Sequence, residues 1–205
     1  MRKLLLTGPP GTGKTLTASV LAGELGQTLY TIQLHALITK FMGETAAKLH
    51  LVFDAISKSR AVYFFDEFDA LGGERASAHD VGEMRRVLGS LLGFIERDTS
   101  ESLIVAATNH PHLLDRALFR RFDSVVEYDI PSPEIAESLM RSRLATLDAT
   151  GMDWSAAVEA SKVLSHADVS RACEDAAKRA VLAHSTSVTT GMLISALNDR
   201  RGAAG

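Results

Sequence analysis

The chain has 205 residues, 46% of them apolar and 23% charged, with a formal net charge of −3. These values match folded soluble domains and argue against disorder, and the absence of any long block of like charge leaves nothing that advertises a nucleic-acid tail or a polybasic membrane patch. One cysteine, Cys173, rules out an internal disulfide, no export signal opens the chain, and every apolar run falls far short of the about 20 residues that span a bilayer, so a cytoplasmic location is expected.

In chain order, short apolar runs rich in branched or aromatic residues occur at 3–6, 28–34, 61–65, 103–107 and 124–128. Continuous runs of this kind suit strands covered on both faces, and therefore a parallel sheet. Between them the period changes. Leu49, Val52, Phe53 and Ile56 stand at i, i+3, i+4 and i+7 within 45–58, and Met84, Val87, Leu88, Leu91, Leu92 and Ile95 repeat the pattern within 82–96. Each spacing predicts a helix with one apolar stripe, and strand alternating with helix predicts an α/β fold, a five-stranded parallel sheet sandwiched by helices. Beyond Pro131 and Pro133 the strand pattern stops. Helices are predicted at 133–147, 154–163, 167–184 and 189–200, so the chain divides into an α/β domain over 1–131 and a small all-helical domain over 132–205. Phe41 and Met42, in TKFMGE, precede the first stripe. They are either core or exposed to hold something, and the stripe supplies a core without them.

The first strand leads into GPPGTGKT, residues Gly8, Pro9, Pro10, Gly11, Thr12, Gly13, Lys14 and Thr15, and then into a helix-compatible run starting at Leu16. This fits G-x-x-x-x-G-K-S/T between strand and helix, the phosphate-binding loop of nucleoside triphosphatases. Glycines allow the backbone N–H groups to wrap an anion at the positive end of the following helix. Lys14 neutralises the β- and γ-phosphates, and Thr15 offers its hydroxyl to Mg²⁺. The second apolar element of that site is VYFFDE, a strand ending in Asp66 and Glu67. Asp66 suits the metal side, and Glu67, one residue further, suits a general base acting on water.

With these two motifs the chain resembles the AAA+ ATPases, in particular their protein-remodelling group. VAATNHP at 105–111 is similar to that family's sensor-1 strand, LLDRALFRRFD at 113–123 to the end of its second region of homology, and LSHADVSRACEDAAKRAV at 164–181 to its lid helix. The resemblance implies ATP and Mg²⁺ as ligands, ATP hydrolysis as the activity, and a lid role for the helical domain. It implies that Asn109 touches the γ-phosphate or orients the attacking water, and that Arg120 and Arg121 reach nucleotide held by a neighbouring subunit. A ring, by resemblance a hexamer, follows from arginines acting in trans. The two arginines are contiguous here, as in meiotic-type and some bacterial members. Family members carry a segment ahead of the first strand that is missing here, from which weak nucleotide affinity and a monomeric state in isolation are expected.

In the family a Gly-Ala pair at the lid helix lies beside adenine; here His166 and Ala167 occupy that place. The histidine either contacts the base or caps the helix. By the same resemblance Phe41 and Met42 stand where the family's pore loop grips an extended polypeptide, implying a protein-remodelling motor. A DNA-associated loader or helicase is the alternative, although Lys40 is the one cation in that loop and nucleic acid is not expected. An ATP-controlled assembly switch is the third reading. His110 and His112 lack a thiol or carboxylate at ligand spacing, so no metal role is assigned to them.

Overall fold

The computed structural model describes residues 1–37, 42–68, 78–114 and 116–203. Each apolar run forms a strand: β1 (Lys3–Thr7), β2 (Leu29–Gln33), β3 (Val62–Asp66), β4 (Leu103–Thr108) and β5 (Ser124–Glu127). All pair in parallel, in the order β2-β3-β4-β1-β5. The two-residue period of a strand sends alternate side chains to opposite faces. Leu5, Tyr63, Phe65, Ile104 and Ala106 point to one face, against α3 (Met42–Lys58) and α4 (Ala78–Arg97). Leu4, Leu6, Val62, Phe64, Val105 and Ala107 point to the other, against Ala18 and Ala22 of α1 (Lys14–Glu24). Phe64 and Phe65 are both fully buried on opposite faces, each stabilising the fold by about 2–3 kcal/mol through apolar area removed from water.

The stripe predicted for the first helix on this sheet is present, with Leu49, Phe53 and Ile56 buried and Val52 packed beside them. Two short helices, α2 (Leu34–Leu37) and α5 (Arg116–Phe119), complete the α/β layers.

Contacts divide the chain into two units. Met1–Gly8 with Lys14–Tyr128 form one, and Pro9–Gly13 with Asp129–Gly205 the other. The second unit contains α6 (Pro133–Arg143), α7 (Trp154–Ser161), α8 (His166–Leu182) and α9 (Thr190–Ala203) around a core that includes Met140, Val169, Cys173 and Leu193. Ala172, Ala176 and Ala180 line the buried side of α8, and these small residues allow close helix packing. Three of the four starts have a side-chain N-cap, with Ser132 accepting from Ile135 N–H, Asp153 from Ala156 N–H, and Ser165 from Asp168 N–H, and ahead of α9 the Thr189 hydroxyl accepts from Met192 N–H at 3.3 Å. The first of these helices ends at Arg143 rather than at 147, with Leu144 leaving helical geometry as its C-cap. No described helix is long and apolar enough to cross a membrane.

Candidate functional site

Because the sheet is parallel, the carboxyl ends of its strands share one edge. β4 lies between β1 and β3, with Thr7 opposite Thr108 and Phe65 opposite Ala106. Gly8, Asn109 and Glu67 follow at once beyond these ends. Neighbouring strands are about 4.8 Å apart, so all three segments come within the reach of one triphosphate.

The chain leaves β1 through Gly8, whose φ is +135°. A Cβ there would stand 2.1 Å from the Tyr128 carbonyl oxygen, and this backbone is fixed, since the Tyr128 N–H donates to Thr7 at 2.7 Å. Lys14 opens α1, is 7% exposed, and donates from Nζ to the Gly8 carbonyl at 2.7 Å. A buried ammonium is tolerated only where oxygens or an anion compensate it, which fits a phosphate ligand. No acidic residue stands in the first turn of α1, so its positive end is not neutralised from within the helix. Thr15 and Leu16 are exposed on that turn.

Within the loop, the Thr12 hydroxyl donates to the Pro9 carbonyl at 2.8 Å. Gly11 has φ +75°, and a Cβ on it would meet Ser165 Oγ at 2.4 Å. Its carbonyl accepts from the Ala167 N–H at 3.0 Å. These contacts account for the grouping of Pro9–Gly13 with the helical unit.

At the end of β3, Asp66 is half-buried and Glu67 exposed. The Glu67 N–H donates to Asp66 Oδ1 at 2.9 Å, and Glu67 takes φ +54°, a left-handed conformation that costs a side-chain-bearing residue about 1–2 kcal/mol. Strain of this kind collects where a side chain must be aimed. After β4 the Thr108 hydroxyl accepts from the His110 N–H at 3.1 Å, which turns the chain around half-buried Asn109. His110 and His112 meet edge to face at 5.6 Å, and no cluster of three or more metal-ligating side chains occurs among the described residues. The Thr15 hydroxyl and Asp66 carboxylate are hard oxygen donors, a set that fits Mg²⁺, which takes few protein ligands and leaves the rest to phosphate and water.

Arg120 and Arg121 occupy a turn that is held from both sides. Arg121 N–H donates to Leu118 at 3.0 Å, and Asp123 N–H to Lys3 at 2.9 Å. The Asp123 carboxylate accepts from the N–H groups of Arg2 (2.6 Å) and Lys3 (3.1 Å), and the Arg2 contact above all holds its carboxyl below the usual range. Phe122, 7% exposed, meets the buried Phe68. Arg120 is exposed, whereas Arg121 is half-buried and ion-paired with Glu96.

Of the two readings of His166, base contact or helix cap, the cap is excluded. Ser165 is the N-cap and closes a capping box with Asp168, while His166 is the first helical residue, with a buried Nδ1 that has no hydrogen-bond partner among the described residues. Phe41 lies outside the described residues, and Met42 opens α3. Sequence reasoning missed Phe68, Glu96, Phe122 and Ser165. Only Ser165 carried a readable signal, the S-x-x-D spacing ahead of an apolar run.

The family model described as "ATPase family associated with various cellular activities (AAA)" matches residues 4–130. The chain is 37% identical over 180 residues to an uncharacterized AAA family ATPase of Sinorhizobium fredii, covering 88% of this chain and 54% of that protein. It is 33% identical over 195 residues to a proteasome-activating nucleotidase of Pyrococcus horikoshii, covering 91% of this chain and 48% of the relative. With an ATP-dependent zinc metalloprotease FtsH of Lancefieldella parvula it shares 36% identity over 196 residues, covering 92% of this chain and 30% of the relative. The chain thus spans about half or less of the length of these curated relatives.

Proposed function

Because the chain belongs to the AAA family of ATPases, we propose that it binds ATP with Mg²⁺, hydrolyses it as a subunit of a ring, and uses the cycle to remodel polypeptides in the cytoplasm. The observation that carries this reading is the convergence of buried Lys14, the Asp66–Glu67 pair and Asn109 beyond the carboxyl ends of three adjacent strands.

In this reading the loop from Gly8 to Thr15 wraps the phosphates, with Lys14 on the β- and γ-phosphates. Thr15 and Asp66 would hold Mg²⁺, which would supply positive charge beside the phosphates. Glu67 accepts a proton from water as that water attacks, and Asn109 holds the water or the γ-phosphate oxygen in line. Leu16 flanks the phosphate end of α1, and His166 with Ala167 contributes to the base side. The arginine turn at 120–121 serves the nucleotide of the adjacent subunit, which makes a ring, of six subunits by family resemblance, the active form. Phe41 and Met42 grip an extended polypeptide in the ring's axis. Two relatives bear names that tie them to proteolysis, a proteasome-activating nucleotidase and an ATP-dependent metalloprotease, and this supports a polypeptide substrate.

The test is the rate of ATP hydrolysis per subunit as protein concentration is raised, with Glu67→Gln in parallel. A rate that climbs with concentration, together with a Glu67→Gln variant that binds ATP but turns over at least 100-fold more slowly, is the expected result. A concentration-independent rate rules out the shared site, and full turnover by Glu67→Gln rules out the assigned base.

A further inference from the structure

The two adjacent arginines differ in their surroundings. Arg121 is half-buried, and its guanidinium is ion-paired with the carboxylate of Glu96 in the last turn of α4. Glu96 is fixed through its backbone as well, since its carbonyl accepts from Lys3 Nζ at 3.3 Å. Arg120 is exposed, and its guanidinium has no ion pair or hydrogen bond among the described residues. Leu118 and Phe122 are buried on either side, and Asp123 ties the exit to Arg2 and Lys3.

Resting on the shared-site reading above, we propose that Glu96 divides the work of the pair: it retains Arg121 within its own subunit as a positioning residue, and leaves Arg120 as the guanidinium that contacts phosphate across the subunit boundary. The physical argument is one of what each arginine must give up. Arg121 can turn outward only by leaving Glu96 unpaired, whereas Arg120 gives up only water. An ion pair this exposed adds about 0–1 kcal/mol to stability, so its effect is chiefly to fix direction. A guanidinium with no carboxylate partner meets a phosphoryl group without first breaking an ion pair, and its fork of donors matches two of the phosphoryl oxygens. Nothing in two consecutive arginines distinguishes them; the distinction comes from α4.

The experiment compares Arg120→Ala, Arg121→Ala, Glu96→Gln and the Arg121→Ala/Glu96→Gln double variant in steady-state hydrolysis at concentrations where the wild-type rate per subunit has reached its plateau. Arg120→Ala is expected to lower kcat at least 100-fold, with KM within about threefold, as loss of a transition-state contact does. Arg121→Ala and Glu96→Gln are each expected to lower kcat by no more than about tenfold, and the double variant no further than the worse single one, because both remove the same pair. A loss in Arg121→Ala equal to that in Arg120→Ala, or additive losses in the double variant, overturns the assignment. Mixing Arg120→Ala subunits with Glu67→Gln subunits separates this from the reading beneath it. Recovered hydrolysis supports contact in trans by Arg120. A silent mixture, with Arg120→Ala still impaired, overturns the shared site itself.

Discussion

The ring of Phe68 meets the ring of Phe122 edge to face, with centroids 6.2 Å apart and planes at 79°. Phe68 follows Glu67 directly, and Phe122 follows the arginine turn directly, so one aromatic contact joins the segment carrying the proposed base to the segment carrying the proposed trans-acting arginine.

Truncating this contact should therefore affect both segments. Phe122→Ala is expected to cost about 3–5 kcal/mol, as for other buried aromatic truncations. Phe122→Leu keeps most of the volume and should cost less than about 1.5 kcal/mol while still removing the edge-to-face geometry. Chemical denaturation paired with ATPase rates checks this: the leucine variant should stay folded yet lose more than fivefold in rate at saturating ATP. An unchanged rate would confine the contact to packing.

Gly11 is constrained in two independent ways. Its φ of +75° penalises any side chain, and the space a Cβ would need is taken by Ser165. Gly11→Ala should lose about 1–2 kcal/mol from the conformational penalty alone and weaken ATP affinity at least tenfold. Adding Ser165→Ala removes the hydroxyl that obstructs the Cβ but not the unfavourable φ, and it removes a helix cap. The double variant should thus be no more stable than Gly11→Ala, as read by thermal unfolding with and without nucleotide.

Cys173 provides the pH dependence. Burial, its dominant cause, pushes the thiol from its ordinary 9.0 to about 11, and the residue is 1% exposed. Between these values the unfolded chain has released a proton that the folded chain retains. The stabilisation linked to the neutral thiol is fully present below about pH 9 and is lost as the pH rises through about 11. Over that interval the wild type should lose stability more steeply than Cys173→Ala, by up to about 1.4 kcal/mol per pH unit. Denaturant titrations across pH 8–11 measure the difference, and native protein should resist alkylation at neutral pH.

Patterns that report burial were legible in the sequence. All five apolar runs became strands, but only the central β1, β3 and β4 are covered on both faces, whereas the edge strands β2 and β5 leave Tyr30, Val125 and Val126 exposed; the Leu49–Ile56 stripe faces the core because its spacing matches one side of a helix. The phosphate loop was readable because its glycines, lysine and threonine must occur together within a few residues. Other features depend on contacts between distant parts of the chain. Glu96 and Arg121 are 25 positions apart, Phe68 and Phe122 are 54 apart, and no period or spacing links either pair. The cap of α8 was legible for a different reason: Ser165 stands one residue before His166, and its short hydroxyl side chain reaches the orphan N–H groups of the first turn.

The left-handed backbone at Glu67 opposes two kinds of selection. A glycine at that position would relieve about 1–2 kcal/mol of strain, and it would remove the carboxylate assigned to activate water. A laboratory screen that ranked variants only by heat resistance would thus favour loss of that carboxylate. Retaining glutamate there sacrifices a measurable part of the folding free energy, and a more heat-resistant fold with glycine in its place is the outcome to expect wherever the carboxylate is not required.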